Sequence, residues 1–122
     1  MTREEFERTV WQEIDEFPPE LAHRISNVAI VVEEWADDET LEWADVDSPE
    51  ELFGFYHGVP LTARPASYGM VLPDKISIYR QAISRVCKTD AEIRACIRRT
   101  VRHELAHYFG LDDDRLEELG RY

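Results

Sequence analysis

A chain of 122 residues is long enough for one real core and too short for two, so residues 1–122 are read as a single domain. Its aromatic and aliphatic content is ordinary for a globular protein and argues against disorder. A net charge of −12 argues against a nucleic-acid partner, whose phosphates would be repelled. A cationic peptide would suit that field, although acidity ordinarily serves solubility.

The first residues, Met1-Thr2-Arg3-Glu4-Glu5-Phe6, are too charged for a signal peptide, and no apolar run approaches the ~20 residues of a spanning helix. A cytoplasmic protein with no membrane partner is expected. Thr2 and Glu5 make a capping box, and Phe6, Val10, Ile14 and Phe17 recur near helical spacing, so residues 3–16 read as an amphipathic helix ended by Pro18-Pro19. A short helical turn can follow around residues 20–24. The β-branched run from Asn27 to Val32 reads as a strand buried on both faces. The acidic stretch from Glu33 to Asp47 reads as irregular and solvated, with Trp35 and Trp43 folded back onto the core or, on a sharper reading, forming an aromatic wall for a peptide.

Residues 52–57 read as a strand ended by Gly58 and Pro60, residues 62–68 as a loop, and Lys75 to Tyr79, entered through Pro73-Asp74, as another strand. A short helix is expected over 80–87. A second capping box, Thr89 with Glu92, opens a long helix over 90–109. Its stripe of Ile93, Ile97, Val101 and Leu105 should pack on the sheet, while Cys96, Thr100, His103 and His107 share a different face. Cys87 and Cys96 lack a CxxC spacing and are read as buried thiols and not ligands. A last short helix is expected over 114–119.

The long helix carries His103-Glu104-Leu105-Ala106-His107. Two histidines four apart on a helix lie on one face about a turn from each other, so both imidazoles can grip one metal ion. Glu104 sits beside them and can take a proton from a water on that metal. A zinc site of this kind needs a third protein ligand and an open fourth position. Gly110 can end the helix in the left-handed conformation, and Asp113 follows at the spacing that completes His-Glu-x-x-His-x-x-Gly-x-x-Asp. Asp112 and Asp114 flank Asp113 and leave the choice among the three open, with the spacing favouring Asp113. A third ligand on a later helix some twenty residues further on is not expected, with fifteen residues following His107 in this sequence.

That pattern resembles the metzincin signature with Asp in place of the last His and with no Met-turn after it. The chain further resembles a family of small bacterial zinc metallopeptidases with a minimal zincin fold. The resemblance rests on Gly54-Phe55-Tyr56-His57-Gly58-Val59-Pro60-Leu61-Thr62-Ala63-Arg64, on Leu72-Pro73-Asp74-Lys75-Ile76-Ser77-Ile78-Tyr79-Arg80, and on the motif with Arg115-Leu116-Glu117-Glu118-Leu119-Gly120 after it. It implies an α+β minimal zincin-like fold: a small mixed sheet of about three strands packed against an N-terminal helix and a long C-terminal active-site helix. It also implies a zinc metallopeptidase in which His103, His107 and Asp113 hold Zn2+ and Glu104 is the general base. A peptide or protein substrate would pair along strand 52–57, since an edge strand supplies main-chain hydrogen bonds with little side-chain selectivity. Tyr56, His57, Tyr79 and Arg80 are candidates for a second oxyanion donor. A non-catalytic metal-binding interaction domain that keeps the zincin fold is the alternative, although a purely structural site has no need of Glu104. Two His and one carboxylate also describe a non-haem iron site, in which Glu104 would have no role.

Overall fold

A computed structural model of the protein describes residues 1–19, 28–58 and 74–109. Within them the order is α1 (Arg3–Asp15), β1 (Val28–Glu33), α2 (Asp38–Ala44), a 3₁₀ turn at Pro49–Glu51, β2 (Gly54–His57), β3 (Asp74–Tyr79), α3 (Arg80–Val86) and α4 (Asp90–Tyr108). This is the expected α+β architecture, with four helices about a three-stranded mixed sheet. The expected turn near residue 20, the loop over 62–68 and the last helix over 114–119 lie outside the described residues.

The sheet runs β1-β3-β2. β1 lies parallel to β3, from Val28 opposite Asp74 to Glu33 opposite Tyr79. β2 lies antiparallel to β3, from Gly54 opposite Ile78 to His57 opposite Lys75. Alternation sends Ile30, Val32, Ile76, Ile78 and Tyr56 to one face, where Phe6, Val10 and Ile14 of α1 and the whole expected stripe of α4 meet them in one buried cluster. Each such aliphatic side chain contributes about 1.5–3 kcal/mol by leaving water, so this cluster fixes α4 against the sheet. Glu13 of α1 adds a buried clamp, its two oxygens accepting from Arg98 Nε and Nη2 at 2.9 and 3.3 Å. The guanidinium of Arg98 holds the Glu13 carboxyl below its ordinary range despite the burial.

The helix starts were legible. Thr2 and Glu5 form the full capping box. At α4, Thr89 Oγ1 accepts from the Glu92 amide at 3.1 Å, but the Glu92 carboxylate turns to the Lys88 amide at 2.8 Å, so the reciprocal half of that box is not made.

β1 is not buried on both faces: Val28, Ile30 and Val32 are buried, whereas Ala29 is exposed and Val31 half-buried. The helices α1 and α4 cover only one side of it. The acidic stretch is not irregular either, since it contains α2. Asp37 caps that helix, its carboxylate accepting from the Thr40 amide at 2.8 Å, and Asp38 and Glu39 sit favourably in the first turn. Trp35 and Trp43 do not fold back onto the core but remain 41% and 61% exposed. The face of α2 turned inward is filled by Thr40 and Leu41.

Candidate metal centre

His103 and His107 stand one turn apart on α4, their rings 4.4 Å apart between centroids and inclined by 64°. One ring nitrogen of each and a carboxylate oxygen of Glu104 all lie within 4.8 Å of one another, close enough to hold one metal ion. The histidines are half-buried and Glu104 is 5% exposed. Two imidazoles beside a carboxylate suit a zinc ion, which takes nitrogen and oxygen donors. Asp113, expected as third ligand, and its neighbours Asp112 and Asp114 lie outside the described residues.

The three side chains arrive together because the apolar stripe of α4 is packed into the core along its length. Val101 and Leu105 are buried against the sheet, which turns His103 and Glu104 towards β2 and leaves His107 at the same rim. Glu104 is then fixed by a group that no side-chain pattern displays. Its Oε1 accepts the main-chain N–H of Tyr56 in β2 at 3.0 Å and lies 3.4 Å from His107 Nδ1. Tyr56 is held by its side chain as well, since its ring meets that of Tyr108 edge-on at 5.8 Å and its hydroxyl donates to buried Asp74 at 2.9 Å. Gly58, at φ +150°, leaves the room that this Tyr56–Asp74 pair occupies: a Cβ there would collide with the Asp74 carboxylate.

The approach of β2 to α4 depends on Gly54. A Cβ at that position would lie 2.6 Å from Thr100 Cγ2 and 3.0 Å from the Ser77 carbonyl oxygen. A glycine in an alternating strand run is the sequence signal for such an approach. In front of the junction a cleft of about 360 Å³ opens, with Leu52, Phe53 and Gly54 on one wall and Thr100, His103 and Glu104 on the other.

Of the four candidates for a second oxyanion donor, none brings its side chain to this cleft. Tyr56 contributes its main-chain amide to Glu104, while its hydroxyl is engaged by Asp74. His57 projects to the other sheet face, Nε2 at 3.2 Å from Ser77 Oγ and its ring against Phe55 and Trp43. Burial there, with Lys75 nearby, pushes its pKa down. Tyr79 is fully buried, and Arg80 is bound to Glu34. Phe55, His57 and Tyr79 alternate with the residues that face α4, which accounts for their turning away.

No helix among the described residues is long and apolar enough to cross a membrane. A family model described as zincin-like metallopeptidase matches residues 25–121. The fold is similar to that of a conserved hypothetical protein from Thermus thermophilus, with a TM-score of 0.59 at 22% identity over 98% of this chain and 97% of that one. No curated protein matches the chain.

Proposed function

Because the chain belongs to the zincin-like metallopeptidase family, we propose that it is a zinc-dependent metallopeptidase with Glu104 as its general base. The single observation that carries the reading is the placing of Glu104: a buried carboxylate, oriented by the Tyr56 amide at 3.0 Å and adjacent to both histidines. A group that served only to complete a structural site would not need to be held beside the ligands by a separate strand. His103, His107 and Asp113 would hold the ion, which supplies Lewis-acid polarisation of a carbonyl and a lowered pKa for a water.

The chain's own residues do the rest. In an antiparallel ladder the N–H and C=O of one residue point the same way and alternate along the strand. Phe53 O accepts from Tyr79 of β3 at 2.8 Å, while the Tyr56 N–H points away from β3 to Glu104. Gly54 therefore turns its main-chain groups to the edge of β2 that pairs with no strand among the described residues, where residues 52–57 can align an extended peptide along the cleft. Leu52 and Phe53 exclude water from one side of it. Glu104 then takes the proton from the attacking water and can return it to the leaving amine, moving it between points within reach of one carboxylate. The occupant is a peptide or protein; the acidity of the chain disfavours nucleic acid.

Glu104→Gln tests this directly. It keeps shape and an acceptor for the Tyr56 amide but cannot take the proton. It should fold and bind zinc like the parent while peptide hydrolysis falls on the order of 10²-fold or more. Equal cleavage by parent and variant would refute the mechanism, and a parent that cleaves no peptide from a broad library would favour the non-catalytic interaction domain.

A further inference from the structure

The cleft continues beyond the metal-binding face. From His103 and Glu104 it runs back towards the N-terminal end of α4, past Thr100 and Cys96, and opens between Arg99 on that helix and Glu51 on the opposite lip. Its floor is neutral. Thr100 Oγ1 donates to the Cys96 carbonyl at 2.8 Å. Burial, with the Cys87 thiol adding to it, pushes the Cys96 thiol up, so it carries no charge at neutral pH. Leu52 and Phe53 make the facing wall apolar. Away from the metal-binding face, charge recognition thus falls to Arg99 and Glu51.

These two are not each other's partners, and the neighbouring arginines are already engaged. Arg98 is bound to Glu13, and Arg102 lies over the Phe17 ring at 5.8 Å. Arg99 is exposed and makes no hydrogen bond or ion pair with the described residues. Along α4 the arginines Arg94, Arg98, Arg99 and Arg102 slightly outnumber the acids Asp90, Glu92 and Glu104, in a chain whose net charge is −12. An exposed carboxylate such as Glu51 selects nothing on so acidic a surface, since cations are attracted to all of it. A guanidinium at the cleft with no partner among the described residues is the feature that discriminates.

We propose that Arg99 is a specificity-determining residue that draws a carboxylate of the peptide into this cleft, next to the bond held at the His103–His107 face. The assignment rests on the peptidase reading of the same site. Arg99 precedes His103 by four residues, so it stands on the same side of α4 about 6 Å further along the axis, and helical side chains lean towards the N-terminus. It therefore meets a group one or two residues from the bond to be cut. The planar fork of a guanidinium matches a carboxylate with two parallel hydrogen bonds, and the apolar wall of Leu52 and Phe53 strengthens that pairing by displacing water. The net negative field does not prevent it, because screening confines exposed charges to about 8 Å at physiological salt. The carboxylate can be an Asp or Glu side chain or the free end of a chain.

The test uses binding, so that it does not depend on turnover. Fluorescein-labelled hexa-alanine peptides, each with one Glu, Gln or Lys walked through the sequence and each made with a free and with an amidated C-terminus, are titrated against zinc-loaded Glu104→Gln protein by anisotropy. Glu at one position, or the free chain end, should improve affinity about tenfold over Gln or the amide. Arg99→Gln should reduce that preference to within about twofold, and Arg99→Glu should turn it towards Lys, both at unchanged zinc stoichiometry. A preference that survives amidation assigns the group to an acidic side chain; one abolished by amidation assigns it to the chain end. The same Glu-to-Gln ratio with and without the Arg99 guanidinium, or no binding by any peptide, overturns the assignment. Arg99-dependent binding of peptides that the Glu104 protein never cleaves would instead remove the peptidase reading and leave the carboxylate site standing.

Discussion

Glu104 and Asp113 carry the same functional group and are read for opposite tasks, one to move a proton and the other to hold the ion. For Glu104 the distinction has a structural basis. A carboxylate that accepts a main-chain amide at 3.0 Å has one oxygen committed to orientation, which suits a base. For Asp113 the basis is the spacing alone. Asp113→Ala should therefore lower zinc stoichiometry or weaken zinc binding, Asp112→Ala and Asp114→Ala should retain about one zinc per chain, and His107→Ala should abolish tight binding. Metal analysis of the four dialysed variants checks this; loss of zinc in Asp112→Ala alone would move the ligand by one residue and leave the histidine pair intact. The histidine pair and Glu104 were legible because helical spacing is written in side chains. The Tyr56 amide was not, because every residue but proline has a main-chain N–H and its direction is set only by strand pairing.

At the scale of elements, the site is the seam between β2 and α4, and Gly54 sets its width. Gly54→Ala would place a methyl 2.6 Å from Thr100 Cγ2. Thr100 cannot simply rotate aside, since its hydroxyl is tied to the Cys96 carbonyl, and the Ser77 carbonyl behind it is backbone. The strand must move. A cost of about 1–3 kcal/mol is expected for such overpacking, read as a lower urea midpoint, together with a weakened Tyr56–Glu104 contact. The histidine pair is local to α4, so zinc binding should fall far less than stability. Equal midpoints for parent and variant would show that the seam is looser than the structure has it. The helix α2 shows why some elements escaped the sequence reading. Over only seven residues, with two of them buried, it has no apolar period, and Asp37 as its cap was one more acidic residue in an acidic run. The burial of β1 on a single face was illegible for another reason, since a β-branched run reads alike whether one face or two are covered.

Across the whole molecule, Glu34 ties two helices to the end of β1. Its carboxylate accepts from Arg80 Nε at 2.9 Å and Gln81 Nε2 at 3.0 Å on α3, and from Arg3 Nη1 on α1 at 3.1 Å, while its carbonyl accepts the Gln81 amide. The Arg80 guanidinium first of all, helped by Gln81 and Arg3, holds the Glu34 carboxyl at about 2 instead of 4.5. As pH falls, the unfolded chain takes up this proton before the folded one. The stabilisation is thus complete above pH 4.5 and is lost as pH falls through that value towards about 2. With the carboxylate 36% exposed, solvent screening holds the effect to about 1 kcal/mol or less. Glu34→Gln should be less stable at neutral pH and should flatten the stability curve between pH 4.5 and 2; parallel curves for the two proteins would mean that the network titrates elsewhere.

The bond from Tyr56 to Glu104 also turns one amide into a reporter. β2 is an edge strand of the described sheet, where an outward amide would ordinarily trade its proton with water freely. Tyr56 should instead exchange slowly, because its partner is a buried carboxylate. Glu104→Ala should speed that exchange about tenfold or more while leaving the amides of Phe55 and His57, which face β3, unchanged. In the parent, the nitrogen–proton resonance of Tyr56 should shift as metal is added and again when any molecule displaces the Glu104 carboxylate. Occupancy of the site can then be followed before a substrate is known, and compounds that enter it can be found by the movement of a single peak.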